Sequence, residues 1–172
     1  MDVVPAQTQV MSADDLDGFV AEHYRRLVGL LVLRVGRRDI AEDLAHESLI
    51  KLVKNWDRVR VMDNPWAWLA TVAINQSISL WRRLAVAERT ERRLAVDETG
   101  PDHESLTDLL QVVAALPERQ RTALLLRHHA RLSVRETATA MGCAEGTVKS
   151  LTNRATHNLR ATLNEEIDDA ND

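Results

Sequence analysis

The chain has 172 residues, with 22 Lys+Arg against 26 Asp+Glu, a formal net charge of −4 and a pI of about 5.9. Taken whole, that balance argues against a simple nucleic-acid binder, which is usually basic, while 45% hydrophobic and 28% charged residues fit a globular chain rather than a disordered one. The single cysteine, Cys143, excludes an internal disulfide or a Cys-based zinc site, and 6 Gly with 4 Pro are too few for an all-β chain rich in tight turns. No basic segment followed by an apolar run opens the chain, and no stretch approaches the ~18 apolar residues of a membrane span. These features predict a cytoplasmic, mostly helical protein with no membrane span.

Residues 1–16 are polar and aperiodic, which predicts a flexible arm. From Val20 the apolar spacing turns helical through Tyr24, Leu27, Leu31 and Val35, and Gly36 stops that helix. Asp39 can start a second helix, with Ala41, Ala45, Leu49, Leu52 and Trp56 on its inner side. Residues 57–65 read as a loop. Asn64 is suited to cap a third helix, with Pro65 at its first position, where a missing N–H does no harm. That helix runs to about Leu84 with Ala70, Ile74, Ile78 and Trp81 as its stripe. Three such helices make one small bundle, placed at 17–87. Residues 88–110 contain Thr99-Gly100-Pro101 and an acidic surplus, and read as a flexible linker.

The second domain is placed at 111–163. Pro117 opens a helix running through His129. Ser133-Val134-Arg135-Glu136 is a capping box, with Ser133 as N-cap and Glu136 reaching back from the third position. That short helix ends at Gly142. After a turn, a basic helix carries Val148, Ala155, Leu159 and Leu163 inward. The unit is a helix-turn-helix. The predicted fold is therefore all-α: two small helical domains joined by a flexible linker, the C-terminal one a helix-turn-helix, followed by an acidic tail at 164–172.

Charge is unevenly spread. Residues 1–87 are net 0, 88–110 net −4, 111–163 net +5 and 164–172 net −5. The basic block coincides with the helix-turn-helix, where a sign asymmetry has functional meaning. On its last helix Ser150, Asn153, Arg154 and His157 share the face opposite the apolar seam, with Lys149 beside them. Asn can pair bidentately with adenine and Arg with guanine, whereas Ser, Thr and Lys suit phosphates. A solvated polar face is the competing reading, and the capping box with the local positive charge favours recognition. All four Trp lie in one 26-residue window: Trp56, Trp66, Trp68 and Trp81. Trp66 and Trp68 point about 200° apart, so one is free to stack on an unpaired base. Trp56 and Trp81 read as core. Trp81-Arg82-Arg83 suits DNA contact or cation placement at a helix C-terminus. Glu42, Asp43 and Glu47 suit either the helix macrodipole or an acidic docking face. Enzyme chemistry is not indicated. His46-Glu47-Ser48-Leu49-Ile50 lacks the second His of the zinc-protease motif. The adjacent His128 and His129 point about 100° apart and cannot share a metal. Cys143 reads as a packed turn residue. No cofactor, metal or catalytic residue is expected.

The order of these parts carries a resemblance. Ala41-Glu42-Asp43-Leu44, Pro65-Trp66-Ala67-Trp68-Leu69, Asn75, Trp81-Arg82-Arg83, Leu116-Pro117-Glu118-Arg119-Gln120-Arg121, Leu132-Ser133-Val134-Arg135-Glu136-Thr137-Ala138 and Gly146-Thr147-Val148-Lys149-Ser150 stand in one series. Over roughly residues 17–163 the chain resembles the extracytoplasmic-function sigma factors of bacterial RNA polymerase. The actinobacterial type with a Thr-x-Arg recognition helix is similar at Thr152 and Arg154. The resemblance implies promoter recognition, melting and transcription initiation, without turnover of a substrate. It implies that 17–87 is region two, with Glu42, Asp43 and Glu47 on the β′ clamp helices of core RNA polymerase. Arg60, Asn64, Trp66, Trp68, Asn75, Arg82 and Arg83 would hold the unpaired strand of the −10 element. It implies that 111–163 is region four. There Thr147, Lys149, Ser150, Asn153, Arg154 and His157 would read the −35 element of promoter DNA, and the helices from Leu116 would meet the β flap. The acidic linker would thread between basic walls toward the active-site cleft. Such proteins often have an anti-sigma factor as partner, and nothing in the residues identifies one.

Several positions depart from that pattern. His46 stands where Gln is common, Ala144 where Ser or Pro opens the recognition helix, Leu151 where Arg is frequent, and His128-His129 where an aromatic is usual. The lost cap at Ala144 costs roughly 1 kcal/mol, which Glu145 in the first turn offsets in part. The rival function is a free-standing helix-turn-helix regulator. It explains the C-terminal half but leaves the Trp-rich first domain and its acidic helix without a task.

Overall fold

A computed structural model describes residues 13–88 and 104–169. The described residues are helical throughout, joined by short turns. The helices are α1 (Ala13–Val35), α2 (Arg38–Val59), α3 (Pro65–Glu88), α4 (Glu104–Ala115), α5 (Glu118–Leu124), α6 (Val134–Met141) and α7 (Glu145–Asp169). None is long and apolar enough to cross a membrane.

The breaks between helices follow from local chemistry. Gly36 ends α1 at φ 74°, and its N–H closes the last turn on the Val32 carbonyl at 2.8 Å; a left-handed terminus suits glycine, which has no Cβ to clash. Asn64 caps α3, its side-chain oxygen accepting the Ala67 N–H at 3.0 Å. The Ser133–Glu136 capping box forms in both directions, and Gly142 closes α6 at φ 58°. Two boundaries differ from the sequence expectation. Helix α1 begins seven residues before Val20, at Ala13. Helix α4 begins at Glu104, inside the stretch read as linker: Leu109, Leu110 and Val113 already keep helical spacing, and an acidic residue at position 104 suits a helix start. The arm's first residues, the remainder of the linker and the tail's last three positions lie outside the described residues.

The helix expected from Pro117 to His129 is interrupted. After α5 the backbone takes one π-helical turn, Leu125–His129, and the Ala130 N–H bonds five residues back to the Leu125 carbonyl at 2.9 Å. Arg131 follows at φ 51°, the only described non-glycine with positive φ. A side chain in that left-handed region costs about 1 kcal/mol.

Leu27, Leu30 and Leu31 of α1 pack fully buried against Ala41, Ala45 and Leu52 of α2 and Leu69, Ala70 and Ala73 of α3. The same apolar cluster continues into Val113, Leu125, Leu126, Ala130 and Leu132. The two helical groups therefore share one core, with a smaller one under α7 made by Leu116, Leu124 and Ala155. Trp56 is buried as expected. Trp81 is not: it is 45% exposed. The α3 stripe is covered at Ala70 and Ile74, half-covered at Ile78 and open at Trp81.

Candidate nucleic-acid interface

The last helix separates its faces sharply. Val148 and Ala155 are completely buried, whereas Lys149, Ser150, Asn153, Arg154 and His157 are exposed or nearly so and Thr147 is half-buried. Capped α6 fixes the entry angle of α7, and the turn between them is tied by the Cys143 N–H on the Ala138 carbonyl at 3.0 Å. The arrangement presents an exposed donor-and-acceptor ridge on a rigid support, the geometry by which a helix reads a major groove.

The acidic face of α2 is built differently. Among the described residues no side chain pairs with Asp43. Glu42 accepts Arg38 Nε at 2.9 Å. Glu47 accepts Gln76 Nε2 at 3.0 Å, and Gln76 is itself held by buried Ser48 at 2.6 Å. Asp43, Glu47 and Ile50 stand on one stripe of the helix. Ile50 is 54% exposed and its neighbour Val53 56%. Exposed aliphatic side chains beside carboxylates suit contact with protein better than with a nucleic-acid backbone. Acidic spacing marks this face in the sequence. The two apolar residues escape that reading, although their positions out of phase with the buried stripe are a signal.

The Trp-rich face is divided. Trp68 is half-buried; Asn75, Arg82 and Arg83 are exposed along α3. Arg60 forms an ion pair with Asp57 at 3.5 Å. Trp66 is only 5% exposed, and its partners include the other domain. Its Nε1 donates to the Ala130 carbonyl at 2.8 Å, Arg26 donates to the same oxygen at 2.6 Å, and the Arg26 guanidinium lies 4.4 Å above the indole. That carbonyl is left free where the π-turn ends, so two donors fill its two lone pairs. Asn64 Nδ2 donates to Glu136 at 2.5 Å. The capping-box carboxylate thus serves two roles. Farther along, Asn75 and Arg82 line a cleft of roughly 460 Å³ whose far wall is Glu118, Arg119, Thr122 and Met141. Glu118 of that wall pairs with Arg34, which is 1% exposed and bonds Ser77 at 3.2 Å. Arg26, Arg34 and Glu118 have no place among the sequence-predicted site residues. A charged residue in phase with Leu27, Leu30 and Leu31 is the available clue to Arg34.

Burial pushes the Glu136 carboxyl up, but hydrogen bonds from Ser133 and Asn64 and the Arg127 charge outweigh it and hold the group below the usual carboxylate range. A depressed carboxyl contributes stability above its unfolded value and loses it as pH falls through the folded one. Thermal melting should therefore show stability falling as pH drops through the acidic carboxylate range, mostly through loss of the Ser133 capping bonds, and Glu136→Gln should flatten part of that acid transition.

A helix-turn-helix with an exposed polar ridge, joined to a second helical domain, defines a two-domain DNA-binding class. Similarity to known proteins narrows it. Residues 19–86 match the sigma-70 region 2 family and residues 106–156 the sigma-70, region 4 family. The chain is 32% identical over 150 residues to the RNA polymerase sigma-E factor of Streptomyces avermitilis, covering 83% of this chain and 84% of that one. It is 31% identical over 150 residues to the sigma-E factor of Streptomyces coelicolor, covering 83% and 85%. Its structure is similar to that of the sigma factor RpoE from Bartonella quintana, solved in complex with the anti-sigma factor NepR, at a TM-score of 0.77 and 25% identity over 88% of this chain and 98% of that one. The chain belongs to the extracytoplasmic-function sigma factors of bacterial RNA polymerase. Its function is that of a sigma factor in transcription initiation.

Proposed function

We propose a division of that work among the residues above. The α7 ridge reads the −35 element as duplex: Asn153 and Arg154 address bases, while Thr147, Lys149, Ser150 and His157 set the register on phosphates and neighbouring edges. Arg60, Asn64, Trp66, Trp68, Asn75, Arg82 and Arg83 hold the unpaired −10 strand. Glu42, Asp43 and Glu47, with Ile50 and Val53 beside them, dock on the β′ clamp helices, and the helices from Leu116 meet the β flap. No side chain is assigned a catalytic role.

The observation that carries this reading is the one-sided burial of α7 behind a formed capping box. A solvated helix without a reader's task needs no such rigid support. The contacts of Asn64 and Trp66 with Glu136 and Ala130 add a condition. The Asn64 and Trp66 end of the strand-holding face is covered by the second domain, so the domains must part there before the −10 element can engage those two residues. The similar RpoE was solved with an anti-sigma factor, and the closed arrangement is one that a partner of that kind could hold.

Purified protein with core polymerase should start transcription at a defined promoter. Tight binding to duplex alone, with no association to core polymerase, would overturn the reading. Within it, Arg154→Ala should lower initiation at a −35-dependent promoter about 10- to 100-fold, from a loss of about 1–3 kcal/mol of base discrimination. Core association should not change.

A further inference from the structure

At the domain seam, Arg26, His128, His129 and Arg131 line an open hollow of roughly 410 Å³. Three of the four come from the π-turn and the residue pair that ends it; Arg26 comes from α1. Gly29 gives the His129 ring its place, since a Cβ there would meet the ring at 3.3 Å, and His129 Nε2 donates to the Arg26 carbonyl at 3.2 Å. The hollow is thus shaped from both domains.

Its charge is one-sided. Burial first, and the Arg131 charge second, disfavour the Arg26 cation, with Glu22 offsetting part of this. Among the described residues no carboxylate pairs with Arg131 or His128. Cations at a helix end often serve only its terminal carbonyls. Here Arg127 already donates to the Leu132 carbonyl and Arg26 to that of Ala130. Among the described residues Arg131 therefore has neither carboxylate nor carbonyl, and it stands at φ 51°, where glycine would be unstrained. A residue held in strained backbone and against a like charge points to use of its side chain.

We infer that this hollow is an anion site for a phosphate group, held by the guanidinium fork of Arg131 together with the Arg26 N–H groups that the Ala130 carbonyl leaves free, and flanked by His128. Guanidinium donors on a doubly charged oxyanion match the known preference of arginine for phosphate. A bound phosphate converts repulsion across the seam into a bridge between domains. On the functional reading proposed above, it therefore favours the closed arrangement and opposes promoter capture. The phosphate can be that of a small free anion or of a DNA backbone.

The test uses the full chain without polymerase, so it stands or fails apart from the assignment of promoter contacts. Pyrophosphate and a random-sequence duplex are titrated separately by calorimetry and thermal melting, against chloride at matched ionic strength. Pyrophosphate should raise the melting temperature beyond the chloride control. Arg131→Gly, which keeps the backbone conformation and removes its strain, should melt higher in phosphate-free chloride buffer yet bind pyrophosphate at least tenfold more weakly. If only the duplex binds in an Arg131-dependent manner, the site is one for backbone phosphate. Equal binding by wild type and Arg131→Gly for both probes, or a shift that chloride reproduces, overturns the proposal.

Discussion

Asp43→Arg should weaken association with core RNA polymerase about 100-fold or more while leaving the protein folded. Among the described residues no side chain pairs with Asp43, so its replacement removes no internal ion pair. Surface changes of that kind usually alter stability by less than about 0.5 kcal/mol. A charge reversal in the middle of a docking face does far more, since it sets like charges together at several kcal/mol. A loss of about 2.7 kcal/mol corresponds to roughly 100-fold weaker binding. The measurement is an equilibrium titration of labelled protein with core polymerase, alongside a duplex-binding control at the −35 element. Weakened polymerase binding with unchanged duplex binding is the expected pair. It separates the sigma assignment of α2 from a free-standing regulator, for which Asp43 would have no task. Unchanged polymerase binding would remove Asp43 from the clamp contact. Glu47→Arg is less clean, because Gln76 loses an acceptor at the same time.

What the residues disclose by themselves divides along a physical line. Local rules suffice where a residue's partner lies within a turn or two of the chain. Ser133 finds Glu136 three residues on, Asn64 caps the helix it begins, and Gly36 and Gly142 take the left-handed conformation that their helix ends require. Helical periodicity also separates the exposed ridge of α7 from Val148 and Ala155. Periodicity says that a face is apolar, but not which element covers it or how far the cover extends. Trp81 continues the α3 stripe by spacing and emerges beyond the bundle's end. Trp66 reads as a candidate for an unpaired base and stands against Ala130, 64 residues away. The π-turn is hidden for the same reason. One inserted residue in a helix leaves a weak trace in sequence, and its effect, a carbonyl offered across the seam, needs the second domain to be seen. The block charges single out the helix-turn-helix segment, because a surface charge there is summed over neighbouring residues. They are silent about Arg34, whose counter-charge comes from Glu118, 84 residues on.

That ion pair gives the second large expectation. Glu118→Gln should open the molecule, because the two sides of the pair are not equivalent. Arg34 is 1% exposed and the Glu118 side chain 48%. Removing the glutamate charge leaves a cation buried with only Ser77 and a neutral amide, and breaking such a pair costs about 3–5 kcal/mol. The half-exposure of Glu118 places this case near the lower end, at about 3 kcal/mol, or roughly a 100-fold shift toward any state that returns Arg34 to water. Domain separation is that state, since Glu118 belongs to α5 and Arg34 to α1. Small-angle scattering should show a larger radius of gyration for Glu118→Gln. Open complexes with core polymerase should form faster, because Asn64 and Trp66 are released. The decisive control is a second change in the same chain. Arg34→Met fills the same space with an apolar side chain, and replacing both partners of a buried pair is often neutral or stabilising. The double variant should therefore return to the closed radius. If Glu118→Gln lowers thermal stability with no change in radius, the pair supports the fold but does not hold the seam. If the double variant stays open, the cost came from the lost Glu118 contacts, including Arg121 at 3.7 Å, and not from an uncompensated charge on Arg34.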